Sequence, residues 1–549
     1  MGLLGYLDVF LAVVALYCVV RLFTSSSSNP PLPPGPRKLP LIGNLLDMPS
    51  TQEWITFGKW GELYGPISSA SVFGQTIVVV NDAQVAVDML DKHSAIYSDR
   101  PSIPMGGELV GWKNTLVLVP YGERFRSYRR LAHQLFGNAA TMKAFHPVEE
   151  VETHRFLKRL LASPDAFSKH IRKTAGAIIL RISHGYKVLE GEDPLVTLAD
   201  QATEQFSHST SPGGFLVNLV PALRHLPDWF PGAGFQKTAR EWKATLDEMV
   251  DRPFNWVKKE MVRTIPYPLY FISASSSRTT LTIHSSYLLS LSSNILIHLQ
   301  AAGSADMSYT SKLLEGKHLT ANDEFDIKWS AASLYSGGAD TTVSAIYSFF
   351  KAMALYPEVQ AHAQAEVDAV IGSDRLPNFN DRDQLPYLNA LTLEVLRWHS
   401  VVPISPPHRV TEDNVFNGYF IPKGSLVLAN IWNMSHDPTI YHQPDIFKPE
   451  RFIPSAENNY TAEPEPRDLS FGFGRRICPG RVLADASVFI SCAMALAVFN
   501  ISKYSENGKV FEPDTKQNDG TISHPSEFRC TLIPRSEKAV QLIQAEEAM

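Results

Sequence analysis

Cysteine is scarce in this chain: four in 549 residues, at positions 18, 478, 492 and 530. Cys18 lies in an N-terminal apolar run, Cys492 in an apolar helix pattern and Cys530 near the C-terminus. That scatter excludes a disulfide framework and points to a reducing compartment for the bulk of the chain. Positive charge is not in excess either. With 50 Lys and Arg against 56 Asp and Glu, the formal net charge is −6, which offers nucleic acid no basic surface. There is no Gly-x-Gly-x-x-Gly and no spare length for a flavoprotein domain, so the chain carries no dinucleotide-driven electron source of its own. No internal repeat is visible, and no Pro- or Ser-rich linker divides the chain after about residue 40, so it reads as one large domain. Strand signals are few: Thr76–Val80, Ser425–Ala429 and Phe528–Ile533. Helical periodicity dominates elsewhere. Asn322-Asp323-Glu324 starts a long helix through Phe350, and Pro386 starts another through about His399.

Only one long hydrophobic run stands out. Residues 2 to 23 are almost wholly apolar and match the roughly 20 residues that a bilayer core requires. Arg21, Arg37 and Lys38 follow the run and none precedes it, which puts the rest of the chain on the cytoplasmic side. Asp8 sits close enough to the N-terminal end to reach the headgroups. The competing reading, a cleaved signal peptide, lacks a basic leading region and a clear small-x-small cleavage site. Four serines and Pro30-Pro31-Leu32-Pro33-Pro34-Gly35-Pro36 come next, a semi-rigid extended spacer. The expected organisation is an anchor at 1–24, a tether at 25–50 and a catalytic domain at 51–549.

One segment is anomalous. Val262 to Gln300 contains no Asp, Glu, Lys or Gly and shows no clear period. Val262-Arg263-Thr264 is encodable as an intron-like 5′ boundary, Ser293-Asn294 as a branch-point sequence and Leu299-Gln300 as a 3′ boundary. The stretch therefore reads either as a translated, unspliced intron or as a genuine long loop insertion, membrane-facing or disordered.

Chemistry concentrates in Phe471-Gly472-Phe473-Gly474-Arg475-Arg476-Ile477-Cys478-Pro479-Gly480. Glycine turns, an aromatic ring and an arginine surround a single cysteine, then run into an apolar helix pattern. A thiolate presented this way is a metal ligand that pushes electron density to the metal. Gly474 and Gly480 would let backbone N–H groups approach the sulfur, Phe471 would cover it and Arg476 would meet an anionic group on a cofactor. The pattern Phe-x-x-Gly-x-Arg-x-Cys-x-Gly resembles the heme-thiolate monooxygenases, the cytochromes P450, with Cys478 at their axial-ligand position. The resemblance covers about residues 30 to 540. It implies a mainly α fold with small β-sheets, preceded here by the N-terminal transmembrane helix, and heme b as cofactor.

Ser336-Gly337-Gly338-Ala339-Asp340-Thr341-Thr342 is expected to interrupt the long helix. Two interior glycines cost about 1 kcal/mol each relative to Ala, so they need a reason: clearance for a flat cofactor and a substrate. Thr341 can bond the local carbonyl ladder, and Asp340 is ionisable. In the resembled family this acid–alcohol pair delivers the protons used when dioxygen is cleaved. Glu394-x-x-Arg397 lies on one face of a helix; by resemblance Arg451, in Pro449-Glu450-Arg451-Phe452, closes a buried structural network with it. The resemblance also places His408 and Arg129, with help from Arg126, at the heme propionates, and puts Phe125 where the family usually has Trp.

The segments that contact substrate in the family are apolar here, as in Val401-Val402-Pro403-Ile404, so the implied substrate is a small hydrophobic molecule. The motifs are most similar to those of fungal membrane-bound members that oxidise terpenoids, indoles or polyketides in secondary metabolism. Such a protein takes electrons from NADPH-cytochrome P450 reductase, with cytochrome b5 a further donor, and sits in the endoplasmic reticulum membrane. A heme-thiolate isomerase or dehydratase, or a heme sensor, is the alternative. Neither needs the Asp340–Thr341 pair.

Overall fold

In the computed structural model of the chain, the described residues are 29–545, without 138, 212–213, 264–306, 317 and 456–459, together with Val13. Apart from Val13, the span expected at 2–23 lies outside them, as does the anomalous stretch beyond Arg263.

Helices build most of the molecule. Those that position the site are α1 (Glu53–Tyr64), α2 (Glu123–Phe136), α3 (His146–Ala162), α4 (Phe167–His184), α5 (Pro194–Thr210), α6 (Phe235–Arg263), α7 (Ala321–Leu355), α8 (Pro386–Trp398) and α9 (Arg481–Val498). Helix α7 is the spine. Its start is set by a capping box in which the Thr320 hydroxyl accepts from the Asp323 N–H and the Asp323 carboxylate accepts from the Thr320 N–H. Its end is set by Pro357, which disfavours helical backbone at Tyr356. Between those signals α7 runs without a break, so Gly337 and Gly338 do not interrupt it as expected. The helix is held through that region by packing against α4, α5 and α9, which outweighs the intrinsic cost of two glycines.

The β-structure is as slight as the sequence predicts. Strands β1 (Ile67–Val72), β2 (Gln75–Val80), β3 (His408–Arg409) and β4 (Leu426–Ala429) form one sheet in the order β1-β2-β4-β3. β2 and β4 are parallel and the other pairs antiparallel, with His408 opposite Val427. A separate ribbon pairs β5 (Phe499–Lys503) with β6 (Cys530–Pro534).

Two large apolar clusters meet along α7. One packs its C-terminal half, through Phe349, Phe350 and Met353, against α3, α8 and the almost wholly buried α9. The other packs its N-terminal half, through Ala331, Tyr335 and Ala339, against α4, α5 and α6. Burial of apolar area at roughly 25 cal/mol per Å² makes these clusters the main stabilising force.

Next to α9, a buried ionic cluster fixes the loops before the cysteine segment. Glu394 accepts from Arg397 Nε and Nη2 at 2.8 and 2.9 Å and from Arg451 Nε at 3.1 Å. Arg451 Nη1 also donates to Glu463 at 2.7 Å, so two guanidiniums face two carboxylates. Glu463 was not legible as the fourth member. The remaining donors of Arg397 and Arg451 go to backbone carbonyls such as Ser435 and His442, which holds the 435–451 segment against α8.

Candidate functional site

The cysteine segment is a short loop closed on itself. The Cys478 N–H donates to the Phe471 carbonyl at 2.8 Å, after a single turn of tighter helix at Gly474–Arg476. The two glycines expected to approach the sulfur divide the work. Gly480 supplies a backbone N–H to the Cys478 sulfur. Gly474 serves packing instead: its φ is +54°, and a Cβ there would come within 2.3 Å of the Leu90 carbonyl oxygen. Burial pushes the Cys478 thiol upward, against the Gly480 N–H and the charges of Arg129 and Arg481, which favour the thiolate.

Cys478 opens onto an apolar cavity of about 350 Å³. Gly337, Gly338 and Thr341 of α7 line it, as does Phe471. The two α7 glycines have separate reasons. A Cβ on Gly338 would sit 2.9 Å from the Ile179 side chain, so this glycine lets α4 approach; a Cβ on Gly337 would meet nothing, so that one clears space. The Thr341 hydroxyl donates to the Gly337 carbonyl at 2.6 Å. An aromatic pair, Trp112 and Phe206 with ring centroids 4.8 Å apart, forms part of the wall.

Four basic side chains reach the cavity: Arg100, Arg129, Arg476 and His408. Arg476 lies with its guanidinium carbon 3.9 Å above the Phe125 ring and donates to the carbonyls of Ser98, Leu116 and Val119. Arg129 donates to Ile477 O at 2.6 Å. Arg100 donates to Val117, Pro406 and Pro407 carbonyls. His408 Nδ1 lies 2.7 Å from Tyr97 O; a carbonyl only accepts, so Nδ1 bears the proton. Among the described residues none of the four bonds a carboxylate. Burial presses all of them toward neutrality: Arg476 to about 10, and Arg100 and His408 well below their usual values, with Arg476 pushing both down further. Three desolvated guanidiniums sharing one wall, with the neutral imidazole of His408 beside them, are an incomplete site until an anion completes it.

Arg126, expected to assist Arg129, does not line the cavity. It is exposed, with its guanidinium over the Tyr121 ring at 5.8 Å, where it keeps its hydration. Arg475 lies over the same ring at 5.2 Å, so Tyr121 ties α2 to the cysteine loop. Arg100 was missed in the sequence. A lone arginine before Pro101 has no motif; its burial comes from contacts some 300 residues away, at Pro406 and Pro407.

Asp340 lies beside the cavity and is 8% exposed. Its Oδ1 accepts from Arg172 Nη1 of α4 at 3.1 Å and from His524 Nε2 at 3.0 Å. Burial would push its carboxyl up, but the His524 hydrogen bond and charge, with those of Arg172, outweigh this and hold it below the usual carboxylate range. Arg172 also reaches Asp200 of α5 at 3.4 Å. Burial raises Asp200 to about 6 against the pull of that arginine.

Comparison with known proteins agrees with this geometry. The family model described as Cytochrome P450 matches residues 33–532. The chain is 49% identical to "Cytochrome P450 monooxygenase 208" of Postia placenta, over 97% of this chain and 96% of that one. It is 44% identical to "Cytochrome P450 monooxygenase claR" of Ampulloclitocybe clavipes, over 98% and 92%. It is 39% identical to an "O-methylsterigmatocystin oxidoreductase" of Aspergillus flavus, over 98% and 94%.

Proposed function

The chain belongs to the cytochrome P450 family, and from that premise we propose that it hydroxylates a small hydrophobic substrate in fungal secondary metabolism. The family makes it a monooxygenase whose cofactor is heme b and whose electrons come from a reductase. The residues present fit that cofactor. Cys478 at the cavity would supply the iron ligand, and the buried Arg100, Arg129 and Arg476, without carboxylate partners among the described residues, would hold the two propionates with His408 beside them. Bound there, heme supplies dioxygen activation, with the thiolate favouring O–O cleavage.

The chain's own residues do the rest. Apolar side chains and the Trp112–Phe206 pair exclude water and hold a flat hydrophobic molecule. Gly337 keeps the centre of α7 clear. Asp340 and Thr341 Oγ carry protons from solvent into the cavity. The observation that carries the reading is Thr341 lining the cavity that Cys478 opens into, with Asp340 next to it on the same unbroken helix. Neither an isomerase nor a heme sensor has use for it. Thr341→Ala tests it: the variant keeps its heme while peroxide formed per NADPH rises and product falls. Unchanged coupling would remove Thr341 from the proton path.

The class of substrate rests on the apolar wall and on relatives such as the O-methylsterigmatocystin oxidoreductase, named for a secondary metabolite. Microsomes carrying the chain and a reductase, fed terpenoids, indoles and polyketides, identify it. Residues 2–23 serve as a single-pass anchor in the endoplasmic reticulum, with the catalytic domain in the cytoplasm. The exposed Arg126, Arg130, Arg475 and Arg481 form the reductase-docking face, open also to cytochrome b5. Arg124, which belongs to the same helix, is engaged by Asp326 at 3.3 Å and contributes less.

A further inference from the structure

Two N–H donors share Oδ1 of Asp340, and they differ in kind. Arg172 is a guanidinium, which does not give up its proton in a protein, whereas the imidazole of His524 does so readily. We propose that His524 is the positioning residue that feeds protons from solvent to Asp340; this rests on the acid–alcohol reading above. The Nε2–H of the imidazolium is already 3.0 Å from the acceptor, and the side chain is 20% exposed against 11% for Asp340. A proton therefore enters at the histidine, crosses to Oδ1 to leave neutral imidazole and a carboxylic acid, and is replaced from water; no electrons move. Held as a carboxylate by its hydrogen-bonded partners, Asp340 Oδ1 stands ready to accept a proton that arrives through His524.

The placement of His524 links this supply to the substrate wall. Thr521 and Ile522 line the cavity, and the next residue, Ser523, is pinned. Its carbonyl accepts from Ser344 Oγ of α7 at 2.5 Å and lies 3.1 Å from His399 Nε2, while its N–H donates to Val401 O at 2.8 Å. His524 follows directly. With Ser523 fixed, replacing the histidine leaves Ile522 in place, so a variant at 524 reports on protons and not on binding.

The charged and titratable groups linked to His524 are Asp340 of α7, Arg172 of α4 and Asp200 of α5 through Asp340, and His399 after α8, on which Lys351 of α7 also acts. His399 is pushed to about 3 by burial and stays neutral in the working range. Lys351 is occupied by Asp514 at 3.5 Å. Asp200 titrates near 6 and needs its own control.

The test uses the full-length, heme-loaded protein with reductase, and the variants His524→Gln, Asp340→Asn and Asp200→Asn. In the wild type, coupling of NADPH to product should fall from about pH 6 to about pH 8. His524→Gln keeps a donor on Oδ1 but cannot shuttle a proton. It should lose roughly tenfold in coupled turnover at about pH 6, with little remaining pH dependence and an unchanged substrate-binding spectrum. Asp200→Asn should keep the pH dependence. A thermal double-mutant cycle between His524 and Asp340, read without turnover, should show coupling at about pH 6 that fades by about pH 8. If Asp340→Asn uncouples turnover but His524→Gln behaves as wild type, or the thermal coupling is absent or equal at both pH values, the proposal is overturned and the acid–alcohol reading stands. If Asp340→Asn leaves coupling intact, the acid–alcohol reading itself fails, and this proposal with it.

Discussion

The guanidinium of Arg476 is stacked 3.9 Å above the ring of Phe125, the residue that stands where the family usually has tryptophan. A tryptophan there would lend its indole N–H to the cofactor; phenylalanine works through the arginine instead, by fixing its plane. Phe125→Ala should speed heme loss several-fold, because Arg476 then loses its support. Phe125→Trp should retain heme at least as well as the wild type. Heme transfer to an acceptor apoprotein measures both, and equal loss rates for wild type and Phe125→Ala would show that the stack is incidental.

Arg100 should matter as much to heme retention as the motif arginine. Arg100→Gln can still bond some of the Val117, Pro406 and Pro407 carbonyls but carries no charge. Its heme content per protein, read by the pyridine hemochrome spectrum, should fall well below that of the wild type. Full heme content would show that the charge of Arg100 is not needed at the propionates.

Glu149 gives the fold a pH dependence with a definite sign. It is fully buried on α3, with Oε1 accepting from Ser487 of α9 at 2.7 Å and Oε2 without a partner among the described residues. Burial raises its carboxyl from an ordinary 4.5 to about 8, so the folded state binds the proton more tightly than the unfolded chain. Stability is then lost as pH rises from about 4.5 towards about 8, at up to about 1.4 kcal/mol per pH unit. Glu149→Gln should raise the melting temperature at about pH 8 and change it little at about pH 5. An equal shift at both would exclude Glu149 as the titrating group.

Glu394→Gln should destabilise the protein by about 3–5 kcal/mol, since it strands Arg397 and Arg451 in the interior with one carboxylate between them. Denaturant unfolding of the carbon-monoxide complex measures this. Loss of less than about 1 kcal/mol would mean that Glu463 and the backbone carbonyls suffice.

What could be read in the sequence was local. The cysteine loop, the start of the long helix near Asp323 and the strand at Thr76–Val80 depend on residues within a few positions of one another. Other features depend on partners far along the chain. Gly337 and Gly338 look alike until Ile179 arrives beside one of them. Arg100 and His524 acquire roles only when Pro406 and Asp340 are brought to them by the sheet and by α7. Gly337 and Gly338 read as an interruption of the long helix because propensity counts the chain alone, whereas neighbouring helices hold it continuous.

The three arginines around the cavity also bear on the fate of the chain in the cell. Newly made protein folds around positive charges that repel one another, as Arg100 and Arg476 do, and in the proposed site the cofactor would be their counter-ion. Each tenfold excess of heme over its dissociation constant then adds about 1.4 kcal/mol to the folded state. In a heme-starved cell the same chain would spend more time open to proteases. The amount of this enzyme is thereby tied to tetrapyrrole supply after translation, without any dedicated sensor.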